Sequence, residues 1–162
     1  MLWWVQFIPM LSSQTDTQMR NFVVTLFLLT GLVGCATTPL PASEAKAAPP
    51  ARLLAFQTKT PGPSGTLVVT RDTGFSGGGC YYSLMINGTL AARLDVGERS
   101  TFHVAPGEIL FRTGRDPEGK ALCSIGQDDW TQRETLIRES ETKYFRLLID
   151  VNGKTDIQRS DP

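Results

Sequence analysis

Short runs of apolar, aromatic and β-branched residues alternate with turn-forming residues along most of the chain after residue 51. Clear examples are Gly65–Arg71, Cys80–Ile86, Thr89–Leu94 and Ser100–Val104. Such residues favour strands, in which successive side chains point to opposite faces. No long stretch shows the 3.6-residue period of an amphipathic helix. The pattern therefore predicts an all-β fold.

The turn signals between these runs divide the chain into hairpins. Asn87-Gly88 and Asn152-Gly153 are Asn-Gly pairs, which suit the two positive φ angles of a type I′ turn. Further strands are expected at Arg52–Gln57, Glu108–Thr113, Ala121–Ile125, Arg133–Arg138, Lys143–Val151 and Thr155–Arg159. Many short strands at this spacing predict a single antiparallel β-sandwich over residues 51–160, with a small barrel as the alternative.

An uncharged apolar run, Phe22–Leu32, precedes this domain and follows the basic residue Arg20. It is shorter than the roughly 20 residues that a membrane span needs, and its layout is that of a secretory signal peptide. Its end, Leu32-Val33-Gly34-Cys35, resembles the lipobox of bacterial lipoproteins. The resemblance implies that the Cys35 thiol receives a diacylglycerol, that the chain is cut before Cys35, and that the new amino group is acylated.

The resemblance also implies an address and a domain plan. Residues 1–34 are then a signal peptide, with Met19 expected as the true start and a long n-region from Met1 as the alternative. Ala36 follows the lipidated cysteine, where Asp would favour the inner membrane, so we expect an outer-membrane anchor facing the periplasm. Residues 35–50, rich in Ala and Pro, are expected to be a flexible tether of at most about 50 Å.

A second resemblance covers part of the β domain. The segments Leu84–Leu94 and Phe102–Ile109 combine strand, Asn-Gly turn, strand, and an aromatic-x-Val-x-Pro-Gly sequence. This sequence pattern is similar to that of PEGA-like β-sandwich modules and of an uncharacterised domain of small bacterial lipoproteins. The resemblance implies the same fold and an envelope address, and it supplies no catalytic residues.

Two cysteines remain after Cys35. An exported chain enters an oxidising compartment, so Cys80 and Cys123 are expected to form a disulfide; two separate buried thiols are the alternative. A closed loop of about 43 residues stabilises a fold by roughly 4 kcal/mol in the chain-entropy model. These cysteines and the single histidine do not have the spacing of a tetrahedral metal site, so no metal or cofactor is expected.

The chain offers little catalytic chemistry. Gly74–Gly78 matches the G-x-S-x-G pattern of a nucleophile elbow, with Asp95 and His103 in the expected order. That elbow requires a strand before the serine and a helix after it, whereas this serine lies in a glycine-rich run that leads into a strand. The formal net charge is zero, which argues against nucleic acid as a partner. No small-molecule substrate is evident, and we expect a protein that is not an enzyme.

The expected function is therefore that of an anchored lipoprotein that binds or scaffolds a periplasmic or outer-membrane partner. Exposed loops carry most binding residues, so Phe75, Ser76, Tyr81 and Trp130 are the candidate contact residues. Inhibition of a host hydrolase such as lysozyme is the alternative, because small disulfide-bearing periplasmic lipoproteins that block lysozyme have a similar size and address.

Overall fold

The computed structural model describes residues 36–162. These residues form nine strands: β1 Lys46–Ala47, β2 Gly65–Arg71, β3 Tyr82–Ile86, β4 Thr89–Leu94, β5 Glu98–Val104, β6 Gly107–Arg115, β7 Thr131–Ile137, β8 Thr142–Ile149 and β9 Thr155–Arg159. Two short 3-10 helices span Pro50–Arg52 and Ala121–Ser124. Within residues 36–162, no helix has the length and apolar character needed to span a membrane.

The strands form two sheets, with orders β1-β5-β2-β8-β9 and β4-β3-β6-β7. Both sheets contribute to one core, because alternate positions on their strands carry buried apolar side chains. Phe111 of β6 meets Phe145 of β8 across the core in an edge-to-face contact with ring centroids 4.8 Å apart. The prediction of an all-β fold is confirmed, and two sheets that share one core are compatible with a β-sandwich.

Both hairpin turns occur where the Asn-Gly pairs predicted them. Asn87 and Gly88 have φ angles of 47° and 80°, and Ile86 pairs with Thr89 across a two-residue turn. The second hairpin differs in detail, since β8 and β9 are joined by residues 150–154 and Asn152 is not in the positive-φ region. The predicted strand pairing is therefore confirmed at both hairpins, whereas the predicted turn type is found only at Asn87-Gly88.

The expectation that all strands pair antiparallel is wrong. β2 pairs with β8 in parallel, and β1 pairs with β5 in parallel. The chain reverses direction at nearly every connection, so strands separated by an even number of steps point the same way. β8 follows β2 by six steps and lies beside it, and a parallel pair within a mixed sheet is the result.

The structure also corrects the expectation of a flexible tether over residues 36–50. Ala42, Ala45 and Ala48 are buried, and the Lys46 and Ala48 amides donate hydrogen bonds of 3.0 and 2.9 Å to carbonyls of residues 97 and 99. Small side chains at every third position let the backbone approach the edge of β5 closely enough to pair with it. The folded unit therefore begins well before residue 51.

The first predicted strand, Arg52–Gln57, is also absent. Pro50 begins a 3-10 helix that ends at Arg52, in keeping with the preset φ angle of proline at a helix start. Leu53 forms only an isolated bridge to Ala92 of β4. This segment therefore covers the free edge of β4 instead of adding a strand to the sheet.

Candidate functional site

The loops that carry the predicted contact residues all lie at one end of the sheets. β2, β6 and β8 run toward this end, and β3, β7 and β9 start from it. The sheets meet here through the Thr155 hydroxyl, which donates a hydrogen bond of 3.3 Å to the Thr113 carbonyl. We call the connecting segments the loop end: residues 72–81, 116–130 and 150–154.

A disulfide joins two loops of this end, as the sequence predicts. Cys80 and Cys123 are bonded, with their Cα atoms 5.4 Å apart. The bond links the glycine-rich segment after β2 to the long connection between β6 and β7. Gln127 adds to this connection, because its side-chain amide donates to the carbonyls of Asp116 and Gly119 at 2.7 and 3.0 Å. The loops are therefore held in one arrangement despite their glycine content.

Arg71, at the end of β2, fixes the glycine-rich segment from inside. Its side chain donates hydrogen bonds of 2.7 Å to the carbonyls of Gly77, Cys80 and Leu94, and it is only 4% exposed. Burial lowers the pKa of this guanidinium to about 10. Three carbonyl acceptors compensate part of the cost of a buried charge. We conclude that Arg71 has a structural role and presents the loop in a fixed form.

A second ionic cluster attaches the first described residues to the loop end. The Asp72 carboxylate accepts hydrogen bonds from the Thr37 hydroxyl at 3.2 Å and from Arg146 Nε at 3.0 Å. The Asp72 side chain is fully buried. Burial raises its pKa above the ordinary value, and the bonds from Arg146 and Thr37 oppose that rise. The cluster joins the chain before β1 to the ends of β2 and β8.

The four predicted contact residues lie on the loop end but do not form one surface. Phe75 is fully exposed on the glycine-rich segment, and Ser76 beside it is half-buried. Tyr81 is exposed on the side of β4, under the guanidinium of Arg52. Trp130 is half-buried at the opposite side, beside β7. The candidate contact residues therefore belong to three separate features of the loop end.

A cleft of about 340 Å³ lies beside Tyr81 and the disulfide. Its charged side chains are largely paired with one another. Arg52 bonds Glu98, and Arg93 lies 3.3 Å from Asp116 and also bonds Glu118. The bond from Arg93 lowers the pKa of Glu118 below its ordinary value. Internal pairing leaves few of these charges available to a partner.

A cleft of about 330 Å³ lies beside Trp130, between the 125–131 segment and the β8–β9 hairpin, and we call it the Trp130 cleft. Its charged lining residues are Arg115, Asp128, Asp129 and Lys154. Within residues 36–162, none of these four side chains takes part in a salt bridge. The sequence suggested Trp130 but missed Arg115 and Lys154, because no motif indicates that β6 and the β8–β9 hairpin meet beside it.

The Trp130 ring is held in place by its neighbours. A Cβ atom on Gly114 would lie 3.0 Å from two atoms of the indole, so the glycine lets the ring pack closely against β6. The Arg112 guanidinium lies 5.2 Å from the ring centroid, within the range of a cation–π contact. The cleft therefore has one aromatic wall held by its neighbours and four charges that have no ionic partner within residues 36–162.

The serine and histidine of the G-x-S-x-G hypothesis lie apart. Ser76 belongs to the loop end, after the last residue of β2, whereas His103 pairs with Thr66 near the first residue of β2. Five strand residues separate these positions, a distance of roughly 15 Å. Among the described residues, no three His, Cys, Asp or Glu side chains converge as a metal site would require. Cys35 and the predicted signal peptide lie outside the described residues.

No protein-family model matches this chain, and no curated protein is significantly similar to it. Its function therefore has to be inferred from its residues and their geometry.

Proposed function

We propose that this protein is a non-enzymatic lipoprotein of the bacterial envelope that binds an envelope partner at the Trp130 cleft. The anchor rests on the lipobox resemblance of Leu32-Val33-Gly34-Cys35. The observation that supports the binding site is the Trp130 cleft itself, in which four charged side chains surround an ordered indole without pairing with each other. Beside Tyr81, by contrast, Arg52 and Arg93 are paired with carboxylates of the protein itself.

The cleft combines features that protein interfaces use. Tryptophan and arginine are enriched among residues that dominate binding energy. An indole fixed by Gly114 and Arg112 needs little further ordering when a partner binds. Two carboxylates, one guanidinium and one ammonium group give the lining a balanced charge. We therefore propose a partner segment that carries both charge signs and an apolar or aromatic group.

The separation of Ser76 from His103 supports the non-enzymatic part of the proposal. Nucleophilic catalysis by serine requires a general base within hydrogen-bond reach. The topology puts His103 at the other end of β2 from the Ser76 loop.

The anchor is tested by the mass of the protein extracted from membranes. We expect a chain that begins at Cys35, carries the acyl groups and contains an oxidised Cys80–Cys123 pair. A Cys35→Ser variant lacks the thiol that would be acylated, so its membrane fraction should contain no acylated form of the protein. An unprocessed chain that begins at Met1 or Met19 would remove the anchor and the envelope address.

The binding site is tested by photo-crosslinking in intact cells. A benzophenone amino acid at Asp128 should give a discrete crosslinked product, which the Trp130→Ala variant should lose. The control places the same group at Glu134, an exposed position in the middle of β7. Equal products from both positions, or none from Asp128, would count against the cleft as the binding site.

The sequence-based alternative, inhibition of a host hydrolase, needs a separate measurement. The acylated protein in detergent is mixed with lysozyme, and the rate of cell-wall hydrolysis is followed. Inhibition that disappears in the Trp130→Ala variant would favour the alternative, whereas an unchanged rate at micromolar protein would eliminate it for lysozyme.

A further inference from the structure

The described chain starts at the loop end. The Thr37 amide donates to the Ile149 carbonyl at 3.2 Å, and the Ile149 amide donates to the Thr37 hydroxyl at 3.0 Å. Thr38 pairs with Thr73 through backbone bonds of 2.7 and 3.0 Å. Cys35 precedes Thr37 by two residues, and two residues of chain span at most about 7 Å. An acyl anchor on Cys35 would therefore hold the loop end close to the membrane.

The most exposed large apolar side chains of residues 36–162 are found at this same end. Phe75 is 101% exposed, Leu122 77%, Val151 71% and Ile125 63%, whereas no other large apolar side chain of the described residues exceeds the 50% of Leu136. Leu136 belongs to β7 near the opposite end, where β6 begins. Large apolar groups exposed together at one end of a protein indicate an interaction surface.

Phe75 and Val151 flank the point where the chain enters the domain. Gly74, the neighbour of Phe75, lies against Thr37, with 3.3 Å between its ideal Cβ position and the Thr37 Cα atom. Val151 follows Ile149, which bonds Thr37, by two residues. Both apolar side chains therefore stand beside the segment that leads to Cys35.

We propose that the loop end lies on the bilayer surface, with Phe75 and Val151 inserted into the boundary between headgroups and acyl chains. This proposal rests on the proposed lipid anchor at Cys35. The occupant is lipid because the anchor itself would keep these side chains next to the membrane, at high effective concentration. The disulfide and Arg71 hold the glycine-rich segment in position, so little conformational freedom is lost on insertion.

The charges of the loop end predict how this contact depends on the type of lipid. Three of its six acidic residues, Asp72, Asp116 and Glu118, are paired with arginines. The charges that line the Trp130 cleft balance one another. Contact therefore depends on apolar burial and only weakly on headgroup charge. It should be similar on zwitterionic and anionic lipid and should change little with added salt.

The test uses the acylated, full-length mature protein in vesicles of phosphatidylethanolamine and phosphatidylcholine with brominated acyl chains. A Trp130→Phe background removes the only tryptophan after residue 34, and one tryptophan is then introduced by Phe75→Trp, Val151→Trp or Leu136→Trp. Leu136→Trp is the matched control, because Leu136 is exposed at the opposite end. Mass spectrometry first verifies the acyl groups and the disulfide of every variant.

We expect the tryptophans at positions 75 and 151 to be quenched at least about twofold more strongly than the one at position 136, because such contacts reach about 5–10 Å into the boundary region. Equal quenching at the three positions in acylated protein would overturn the bilayer contact and leave the anchor intact. A protein without acyl groups would instead overturn the anchor. The proposal would also be overturned if a protein covered position 75 in cells and the tryptophan at that position was not quenched in vesicles.

Discussion

The guanidinium carbon of Arg71 lies 4.2 Å from the centroid of the Tyr82 ring, beneath the glycine-rich segment. The same guanidinium bonds the carbonyls of Gly77 and Cys80 on that segment and of Leu94 at the end of β4. One side chain thus joins β2, β3, β4 and the loop that carries Phe75. A planar group with several fixed donors can do this, whereas a lysine ammonium cannot reach the same acceptors together.

We therefore expect Arg71→Lys to destabilise the protein although it keeps the charge. The free energy of unfolding, measured by urea denaturation, should fall by about 2–4 kcal/mol, because buried carbonyls lose charged donors. The control is Arg133→Lys, which alters a residue with a 54% exposed side chain and a surface ion pair to Asp156. That change should stay within about 0.5 kcal/mol. Similar effects of both substitutions would contradict the role assigned to Arg71.

Gly77 and Gly79 provide a matched pair that tests how tightly the loop is packed. Both have positive φ, of 72° and 78°, but a Cβ atom on Gly77 would lie 2.5 Å from Ile149 Cδ1, whereas one on Gly79 would have no neighbour within 4 Å. Gly77→Ala should cost about 2–5 kcal/mol through backbone strain and overpacking, and Gly79→Ala about 1 kcal/mol through strain alone. Equal costs in a denaturation experiment would mean that the loop is loosely packed.

Asp72 and Asp150 should give opposite pH dependences of stability. Burial raises the pKa of Asp72 above its ordinary 3.8, whereas the backbone amides of Lys154 and Asn152 lower the pKa of Asp150. The contribution of Asp72 is therefore fully present below pH 3.8 and lost as pH rises through its raised pKa. The contribution of Asp150 is present above pH 3.8 and lost as pH falls through its lowered pKa.

The measurement compares the free energy of unfolding of the parent protein with Asp72→Asn and Asp150→Asn over acidic and neutral pH. The stability advantage of the parent over Asp72→Asn should decrease as pH rises, and its advantage over Asp150→Asn should increase. Each substitution serves as the control for the other, since both remove one carboxylate. If both stability advantages changed in the same direction as pH rises, the pKa of Asp72 would not be raised by its environment.

Local patterns in the sequence predict most of this fold, and long-range contacts account for what they miss. The Asn87-Gly88 turn and the strands around it follow from local preferences, and both are confirmed. The alternation along β2 also puts Arg71 on the apolar face of Leu67 and Val69, which is a signal of its burial. The parallel pair of β2 and β8 depends on contacts across more than 70 residues, for which no local pattern exists.

The candidate site shows the same division. The pairing of Cys80 with Cys123 is expected on the basis of the predicted export signal and is confirmed, and all four predicted contact residues lie on the loop end. Their separation into the exposed Phe75 loop and the clefts beside Tyr81 and Trp130 depends on which loops meet, and so does the presence of Lys154 beside Trp130. These features follow from tertiary packing, which residue type and spacing along the chain do not encode directly.

The segment before β1 provides the sharpest test of where the domain begins. Ala48, directly after β1, is 5% exposed and belongs to the core, whereas its neighbour Ala47 on β1 is exposed. Ala48→Glu buries an unpaired charge and should detach the segment, so that the Lys46 amide, which bonds the Gly97 carbonyl, exchanges hydrogen at least about tenfold faster. Ala47→Glu should leave that rate unchanged. If the Lys46 amide of the parent protein already exchanged like that of an unstructured peptide, the segment around β1 would be a flexible tether and not part of the folded domain.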